Sequence, residues 1–414
     1  MIKFMEIKIS KKLENLKPYA FAEIESRASA LRENGVKVID FGVGDPTEPT
    51  PEFVINELKN AGEKHAKTGY PSYNGGKEFR VAAASYMKRN FNIELNPDTE
   101  ISSNIGSKES IFNFPNGFIN KDDIVIIPSP GYPPMKTGTI FADGIPYFVP
   151  LLEKNNWLLD YNLIPQEIVK KAKIIWINYP NSPTGAIATH EYYEGLIAWA
   201  KQNNIIIAAD EGCYIDIFFK EKPISILNVA REGIITFYSL SKRNNMTGYR
   251  VGFVAGDENV IKIFKKLKTN IDSGTQNIIQ EVAITALNND THVAEMRALY
   301  SQKADVLIQA LSKIGLDVKK PSATFYVWLK CPRNISDVEF AQKLLDPNIG
   351  IVVTPGSLIS DECEVITNNT PQKINPGKGY VRFALVPSIE EIKEATERLF
   401  SARILLKLST FLNI

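Results

Sequence analysis

The sequence predicts an α/β protein: a large domain with a mostly parallel sheet sandwiched by helices, joined to a smaller α+β domain. Three observations carry this. Short β-branched runs alternate with longer stretches whose apolar residues recur at helical spacing. Several of the runs end in polar, glycine- or proline-rich turns. Downstream of about Asn289 the alternation gives way to one long helical segment and two further strands.

Taken in order, Ile124–Ile127, Ile174–Ile177, Ile205–Ala208 and Ile234–Tyr238 read as buried strands. They are apolar throughout, as strands are when helices cover both faces of a parallel sheet. Glu191–Gln202 places apolar side chains at helical spacing between two of them. SPGYPP lies beyond Ile127, NYPNSPTG beyond Ile177, DEGCY beyond Ala209, and SLSK closes the fourth run. In open α/β sheets a ligand sits outside the carboxyl ends of the strands. Four polar clusters at four strand ends therefore predict one site assembled from distant sequence. A helix over His292–Ile314, strands in VWLK and YVRFAL and a helix from Ser388 make up the smaller domain. The expected division is 46–289 for the large domain, with 1–45 and 290–414 forming the small one.

A length of 414 residues suits two domains, and the basic and acidic residues, 48 against 47, leave a net charge of +1. That balance gives a nucleic-acid partner no electrostatic footprint. Cys213, Cys331 and Cys363 are too few and too scattered for a disulfide framework, which fits a reducing, cytoplasmic setting. The lysine-rich N-terminus lacks a signal-peptide core, and no apolar run reaches membrane-spanning length. The stretch from Phe400 to Ile414, apolar with interleaved Arg403 and Lys407, reads as a packed or frayed terminal helix. His65, His190 and His292 form no pair at metal-ligand spacing, so no metal site is expected. Neither GxxxxGK[ST] nor GxGxxG after a strand is present, which removes the common nucleotide-binding folds.

One lysine among 48 basic residues says little by itself. Lys242 differs because it follows a buried strand and stands between hydroxyls and a Gly-Tyr-Arg turn. A desolvated lysine loses proton affinity and becomes an amine nucleophile toward carbonyls. Ser239, Ser241 and Arg250 offer donors for a phosphate. Ser107 and Lys108 follow a glycine and open a helix, which supplies either a second phosphate contact or an ordinary helix start. Asp210 ends the apolar run IIIAAD, where a carboxylate is costly without a cation. It could cap, form a salt bridge or pair with a protonated ring nitrogen. Tyr214 could reach a ring hydroxyl, and Tyr132 could stack on a planar cofactor or belong to the core.

SLSK with Arg250 eight residues on, preceded in order by PGYPP, NSPTG and ADE, resembles the class I/II aminotransferases of the fold-type I pyridoxal-phosphate family. The resemblance runs over nearly the whole chain. The segments PYAFAEIESRASALRENGVKVIDFGVGDPTEPTPE, GYPSYNGG and PSATFYVWLK are similar to the LL-diaminopimelate aminotransferase-like branch. The resemblance implies pyridoxal 5'-phosphate as cofactor and ping-pong transfer of an amino group between an amino acid and a 2-oxo acid. A decarboxylase or β-lyase on the same scaffold is the alternative.

It further implies that Lys242 forms the Schiff base and shuttles the proton, Asp210 pairs with the ring nitrogen, Tyr214 with the ring hydroxyl, and Tyr132 stacks. Ser107, Lys108, Ser239, Ser241 and Arg250 would hold the phosphate. Tyr70 would reach the phosphate of the neighbouring subunit in a homodimer. Arg382, in GYVRFAL, would grip the substrate α-carboxylate, with Tyr19, Gly44 and Asn277 on the substrate side. Three departures stand out. Ser182 precedes PTG where the family has asparagine, so either Asn181 or Ser182 would face the ring hydroxyl. Tyr214 follows the aspartate by four residues instead of three, so either a bulge realigns it or Cys213 takes its slot. Arg243 follows the lysine where a small or apolar residue is usual, and would face solvent or add charge near the phosphate.

Overall fold

The structure, a computed structural model, describes residues 5, 7–14, 16, 22–367 and 370–402. Tyr19 and residues 403–414 of the expected terminal helix lie outside the described residues. Seven strands build the main sheet: β1 (Ile101–Asn104), β2 (Ile124–Ser129), β3 (Ile145–Pro150), β4 (Ala172–Ile177), β5 (Ile206–Gly212), β6 (Ile234–Ser239) and β7 (Gly252–Gly256). Their spatial order is β1-β7-β6-β5-β4-β2-β3. The pairs from β6 to β3 are parallel, and β7 runs against both of its neighbours.

The four runs read as buried strands are β2, β4, β5 and β6, four consecutive neighbours of this sheet. Their continuous apolarity has a simple cause. Ile126, Ile175, Ile177 and Ile207 enter the core on one face, and Val125, Ile127, Ile174, Trp176 and Ala208 the core on the other. With both faces dry, no position in the period-2 pattern needs a polar side chain. Helices α1 (Lys77–Phe91), α2 (Ser107–Asn113), α3 (Pro133–Phe141), α4 (His190–Gln202), α5 (Leu240–Arg243) and α6 (Asn277–Leu287) accompany the sheet. The start of α4 shows how sequence fixes a boundary: the Thr189 side chain accepts the Tyr192 N–H, satisfying one of the free donors of the first turn.

A second core lies around α7 (Thr291–Lys313), α8 (Ile389–Ser401) and a three-stranded antiparallel sheet of β8 (Tyr326–Lys330), β9 (Thr354–Pro355) and β10 (Tyr380–Ala384), in the order β9-β10-β8. Leu307, Leu311, Val327, Leu329, Phe383 and Ile392 are buried there. Each such side chain contributes about 1.5–3 kcal/mol by leaving water. Ile39 and Phe41 join this core, and Ile39–Asp40 pairs in parallel with Ile351–Val352. Tyr214 and Ile217, just past β5, join it as well. The exit of β5 is thus where the second core meets the end of the main sheet. Among the described residues no helix is long and apolar enough to cross a membrane.

Candidate active site

A cavity of about 400 Å³ opens at that junction. One wall comes from the carboxyl ends of the main-sheet strands: Tyr132 beyond β2, Asn178 and Ser182 beyond β4, Asp210 on β5, Ser239 on β6. The facing wall comes from Gly44, Tyr326 and Arg382.

Lys242 stands on the one-turn helix α5. Ser239 caps this turn, its Oγ accepting the Ser241 N–H at 3.2 Å. The Lys242 Nζ donates to the Gly44 carbonyl and lies 5.8 Å from the centre of the Phe325 ring, so the amine is held inside the cavity. Gly44 is required there: a Cβ at this position would lie 1.8 Å from the Tyr326 hydroxyl.

One end of the cavity is built for an anion. The Ser239 hydroxyl donates to the Ser241 hydroxyl at 2.9 Å, and Arg250 lies beside them, anchored through Nη1 to the Thr247 carbonyl at 2.7 Å. Gly106, with φ +77°, makes the turn into α2, and a Cβ there would come within 2.4 Å of Arg250 Nη2. Its absence lets Arg250 lie against the turn that carries Ser107 and Lys108. Two cations and three hydroxyls thus converge on one place.

Asp210 is buried, and its Oδ1 has no hydrogen-bond partner in the protein. Burial pushes its carboxyl up to about 7, and the Cys213 thiol draws it partly back. A carboxylate in that position is completed by a cation brought by a ligand. The β5–β6 register slips between Ala209 and Gly212. Beyond the slip Cys213 and Tyr214 both line the cavity: Cys213 Sγ is 3.2 Å from Ser107 Oγ, and Tyr214 Oη is 3.0 Å from Tyr326 Oη. Burial, with Tyr326 beside it, raises the Tyr214 phenol well above its ordinary value.

Arg382 lies with its guanidinium carbon 4.4 Å from the centre of the Tyr326 ring. Its Nη2 donates to the Gly42 carbonyl at 2.8 Å, while Nε is buried without a partner. Tyr132 both lines the cavity and packs against the core on that face of the sheet; burial raises its phenol too.

Ser107, Lys108, Tyr132, Ser182, Asp210, Tyr214, Ser239, Ser241, Lys242, Arg250, Gly44 and Arg382 therefore surround one cavity. Other expectations need correction. Asn181 does not line it: its Oδ1 accepts from Thr184 N at 3.2 Å and Thr184 Oγ1 at 2.7 Å, holding its own turn. Asn277 is not on the substrate side of its own chain's cavity; its Nδ2 donates to Thr68 Oγ1 at 3.0 Å, two residues from Tyr70, which is 91% exposed. Arg243 neither faces solvent nor approaches the phosphate end. It is buried, with Nε 3.1 Å from Asp216 and a further ion pair to Asp290, carboxylates that the fold brings to it from distant parts of the chain. The sequence reading missed Asn178, Thr247 and Tyr326. Asn178 carried a usable signal, being the first polar residue after an apolar strand, and its Nδ2 donates to the Asp210 carbonyl at 2.6 Å.

Residues 36–399 match the family model described as aminotransferase class I and II. The chain belongs to that family. This aminotransferase is 44% identical over 394 residues to the LL-diaminopimelate aminotransferase of Aquifex aeolicus, covering 94% of this chain and 98% of that one. Its structure is similar to that of substrate-bound BacF from Bacillus subtilis, at 30% identity and a TM-score of 0.85 over 96% of this chain and 98% of that one. An aspartate aminotransferase mutant of Thermus thermophilus is similar at 26% identity and a TM-score of 0.85, over 96% and 100%. The fold is that of the fold-type I transferases. The enzyme is a pyridoxal-phosphate-dependent aminotransferase that moves an amino group between an amino acid and a 2-oxo acid. The cavity fits that cofactor: hydroxyls, Lys108 and Arg250 for its phosphate, the unpartnered Asp210 Oδ1 for its ring nitrogen, and the Lys242 amine for its aldehyde.

Proposed function

We propose that this aminotransferase takes a diamino dicarboxylic acid of the diaminopimelate type as its amino donor, in the cytoplasm, as a homodimer. The observation that carries the substrate reading is the end-to-end similarity to relatives bearing the name LL-diaminopimelate aminotransferase, 44% identical in the case of Aquifex aeolicus. The three free cysteines support the reducing compartment. The exposed Tyr70, with the half-buried Asn277 beside it and both outside their own chain's cavity, supports a second chain completing the site. In this reading the main-sheet core, 46–289, is the large domain, and 1–45 with 290–414 form the small one.

When bound, pyridoxal phosphate supplies an aldehyde that takes up the amino group and a ring that draws electrons from the substrate Cα. The chain's own residues do the rest. Ser107, Lys108, Ser239, Ser241 and Arg250 bind the phosphate. Asp210 Oδ1 keeps the ring nitrogen protonated, because its ionised form is stable in that buried place only beside a cation. Tyr214 and Ser182 would face the ring hydroxyl, and Tyr132 would pack on the ring. Lys242 Nζ would hold the cofactor at its aldehyde and, once free, would carry the substrate Cα proton. Arg382 grips the α-carboxylate through its free donors and so selects which Cα bond meets Lys242. Two half-reactions on one site give ping-pong kinetics.

The test mixes the yellow holoenzyme with LL-diaminopimelate, aspartate, alanine and aromatic amino acids and follows loss of its absorbance together with 2-oxo acid formation. LL-diaminopimelate is expected to react fastest, and Lys242→Ala to remove both absorbance and turnover. A faster response to a monocarboxylic donor would overturn the substrate assignment. Release of carbon dioxide in place of a 2-oxo acid, or of free ammonia along with it, would count against the roles given to Arg382 and Lys242.

A further inference from the structure

Tyr326 has no part in the steps above, yet it touches two of the groups that do and a glycine of the facing wall. Its hydroxyl is 3.0 Å from that of Tyr214, its ring lies 4.4 Å beneath the Arg382 guanidinium, and it fills the space that a side chain at residue 44 would need. It is buried and has little freedom to move. The placement follows from strand register. Tyr326 pairs with Ala384 and Trp328 with Arg382, so Tyr326 and Arg382 are diagonal neighbours on one face of the β8–β10 ladder.

We infer that Tyr326 is a positioning residue that couples the two ends of the site, its hydroxyl directing the Tyr214 proton and its ring holding the plane of Arg382. The inference rests on the roles proposed above for Tyr214 and Arg382. Two hydroxyls 3.0 Å apart share one proton between them. When Tyr326 donates, Tyr214 is left to point its own proton into the cavity, and a hydroxyl that accepts one hydrogen bond is a stronger donor of the next. The ring contact acts on Arg382 in a different way. One edge of the guanidinium is tied by Nη2 to the Gly42 carbonyl, and the aromatic face beneath fixes its plane. The unpartnered Nε is thereby aimed before any carboxylate arrives, which spares the ordering cost at binding.

The hydroxyl and the ring can be separated by substitution. Two readouts serve: the midpoint of the pH-dependent change in holoenzyme absorbance without substrate, and the Kd of pimelate, which keeps both carboxylates and lacks the amines. Tyr326→Phe keeps the ring and removes the oxygen. It is expected to move the absorbance midpoint upward by about half a unit, as a weakened hydrogen bond to the ring oxygen lets that oxygen hold a nearby proton to higher pH. Its pimelate Kd should stay within about two-fold of wild type. Tyr326→Leu removes the ring as well and is expected to raise the pimelate Kd about five- to ten-fold. An unchanged midpoint in Tyr326→Phe, or wild-type pimelate binding in folded Tyr326→Leu, overturns the coupling. If Tyr326→Leu does not fold, Tyr326→Phe decides. Arg382→Lys and Tyr214→Phe keep the two levels apart. Wild-type pimelate binding in Arg382→Lys, or an unmoved midpoint in Tyr214→Phe, would overturn the underlying roles instead.

Discussion

Two arginines of this chain lie over tyrosine rings at similar distances, Arg243 5.0 Å from Tyr86 and Arg382 4.4 Å from Tyr326. Their surroundings are opposite. Around Arg243 charge is matched: Asp216 and Asp290 pair with it, Tyr86 Oη donates to Asp216 at 2.7 Å, and Nη1 donates to the Ala286 carbonyl at 3.0 Å. Next to it Asn244 Nδ2 is 2.7 Å from His292 Nε2, and burial with the Arg243 charge drives that imidazole down to about 4, leaving it neutral. Around the cavity charge is left open, with Arg382 Nε and Asp210 Oδ1 both buried and unpartnered. The residues flanking Lys242 thus face two different economies of charge. The closed one has its charges paired within the protein, Arg243 Nε meeting Asp216 at 3.1 Å as an ion pair without a hydrogen bond, and the open one is completed by a ligand.

The comparison breaks most directly at Arg243. Arg243→Met leaves Asp216 buried without its cation, and removing one partner of a buried pair costs about 3–5 kcal/mol. Chemical denaturation should report that loss, while the pimelate Kd of the folded protein stays near wild type. A cost under about 1 kcal/mol would mean that the knot is not the balanced structural unit described here.

Asp210 tests the open side through pH. Its carboxyl sits at about 7 in the folded protein against 3.8 ordinarily, so without cofactor the folded state holds a proton that the unfolded chain has released. Stability from this group is complete below about 4 and is lost as pH rises toward 7, by an amount on the order of 4 kcal/mol. Glu211, buried alongside and also raised to about 7, adds the same trend in any variant that retains it. The difference in pH slope between cofactor-free wild type and Asp210→Asn therefore isolates Asp210. Denaturation curves between pH 4 and 8 should be flatter for the variant, and equal slopes would contradict the open-charge assignment.

Legibility in the sequence divides along the same line. Asp210, Ser239, Ser241, Lys242 and Arg250 could be read because each sits in a short polar motif at a strand's carboxyl end, and parallel strands bring those ends together. The sheet itself was legible because both faces are dry, which leaves uninterrupted apolar runs. Tyr326 was not legible: it sits in an apolar strand, and its importance comes from a diagonal contact with Arg382, 56 positions away in sequence. Arg243 was misread for a related reason. Its partners, Asp216 and Asp290, are acids that nothing in their own neighbourhoods marks as buried or paired. Asn181 and Asn178 show a finer limit: motif order left Asn181 or Ser182 for the ring hydroxyl, yet the turn folds Asn181 away from the cavity, while Asn178, bonded to Asp210 and Ser182, lines it.

Arg382 gives the functional counterpart of the Arg243 experiment. Arg382→Gln keeps the bulk and some donors but loses the charge and the fork. A charged hydrogen bond to a carboxylate contributes about 2–3 kcal/mol, so kcat/KM for the donor should fall about 30- to 150-fold. Stability should change by less than about 1 kcal/mol, because no carboxylate is left stranded inside the protein. The reverse pattern, large instability with retained kcat/KM, would erase the distinction between the two arginines.

The smallest effect lies at the surface, where the open side is proposed to be finished by a second chain. Tyr70 is 91% exposed and is held near Asn277 through Thr68, with no contact to its own cavity. If its hydroxyl donates to the cofactor phosphate across a dimer, Tyr70→Phe should raise the cofactor Kd about ten- to fifteen-fold, the low end of what one hydrogen bond to an anion contributes. Mixing supplies the decisive control. In a hybrid of one Tyr70→Phe chain and one Lys242→Ala chain, one site combines an intact Lys242 with an intact Tyr70 from across the interface, and the other carries both defects. Equilibrated mixtures should therefore show a population of wild-type-affinity, fully active sites that neither variant has alone. If the hybrid binds no better than Tyr70→Phe itself, Tyr70 serves its own chain or none, and the open charge of the cavity is completed by the ligand without help from a partner.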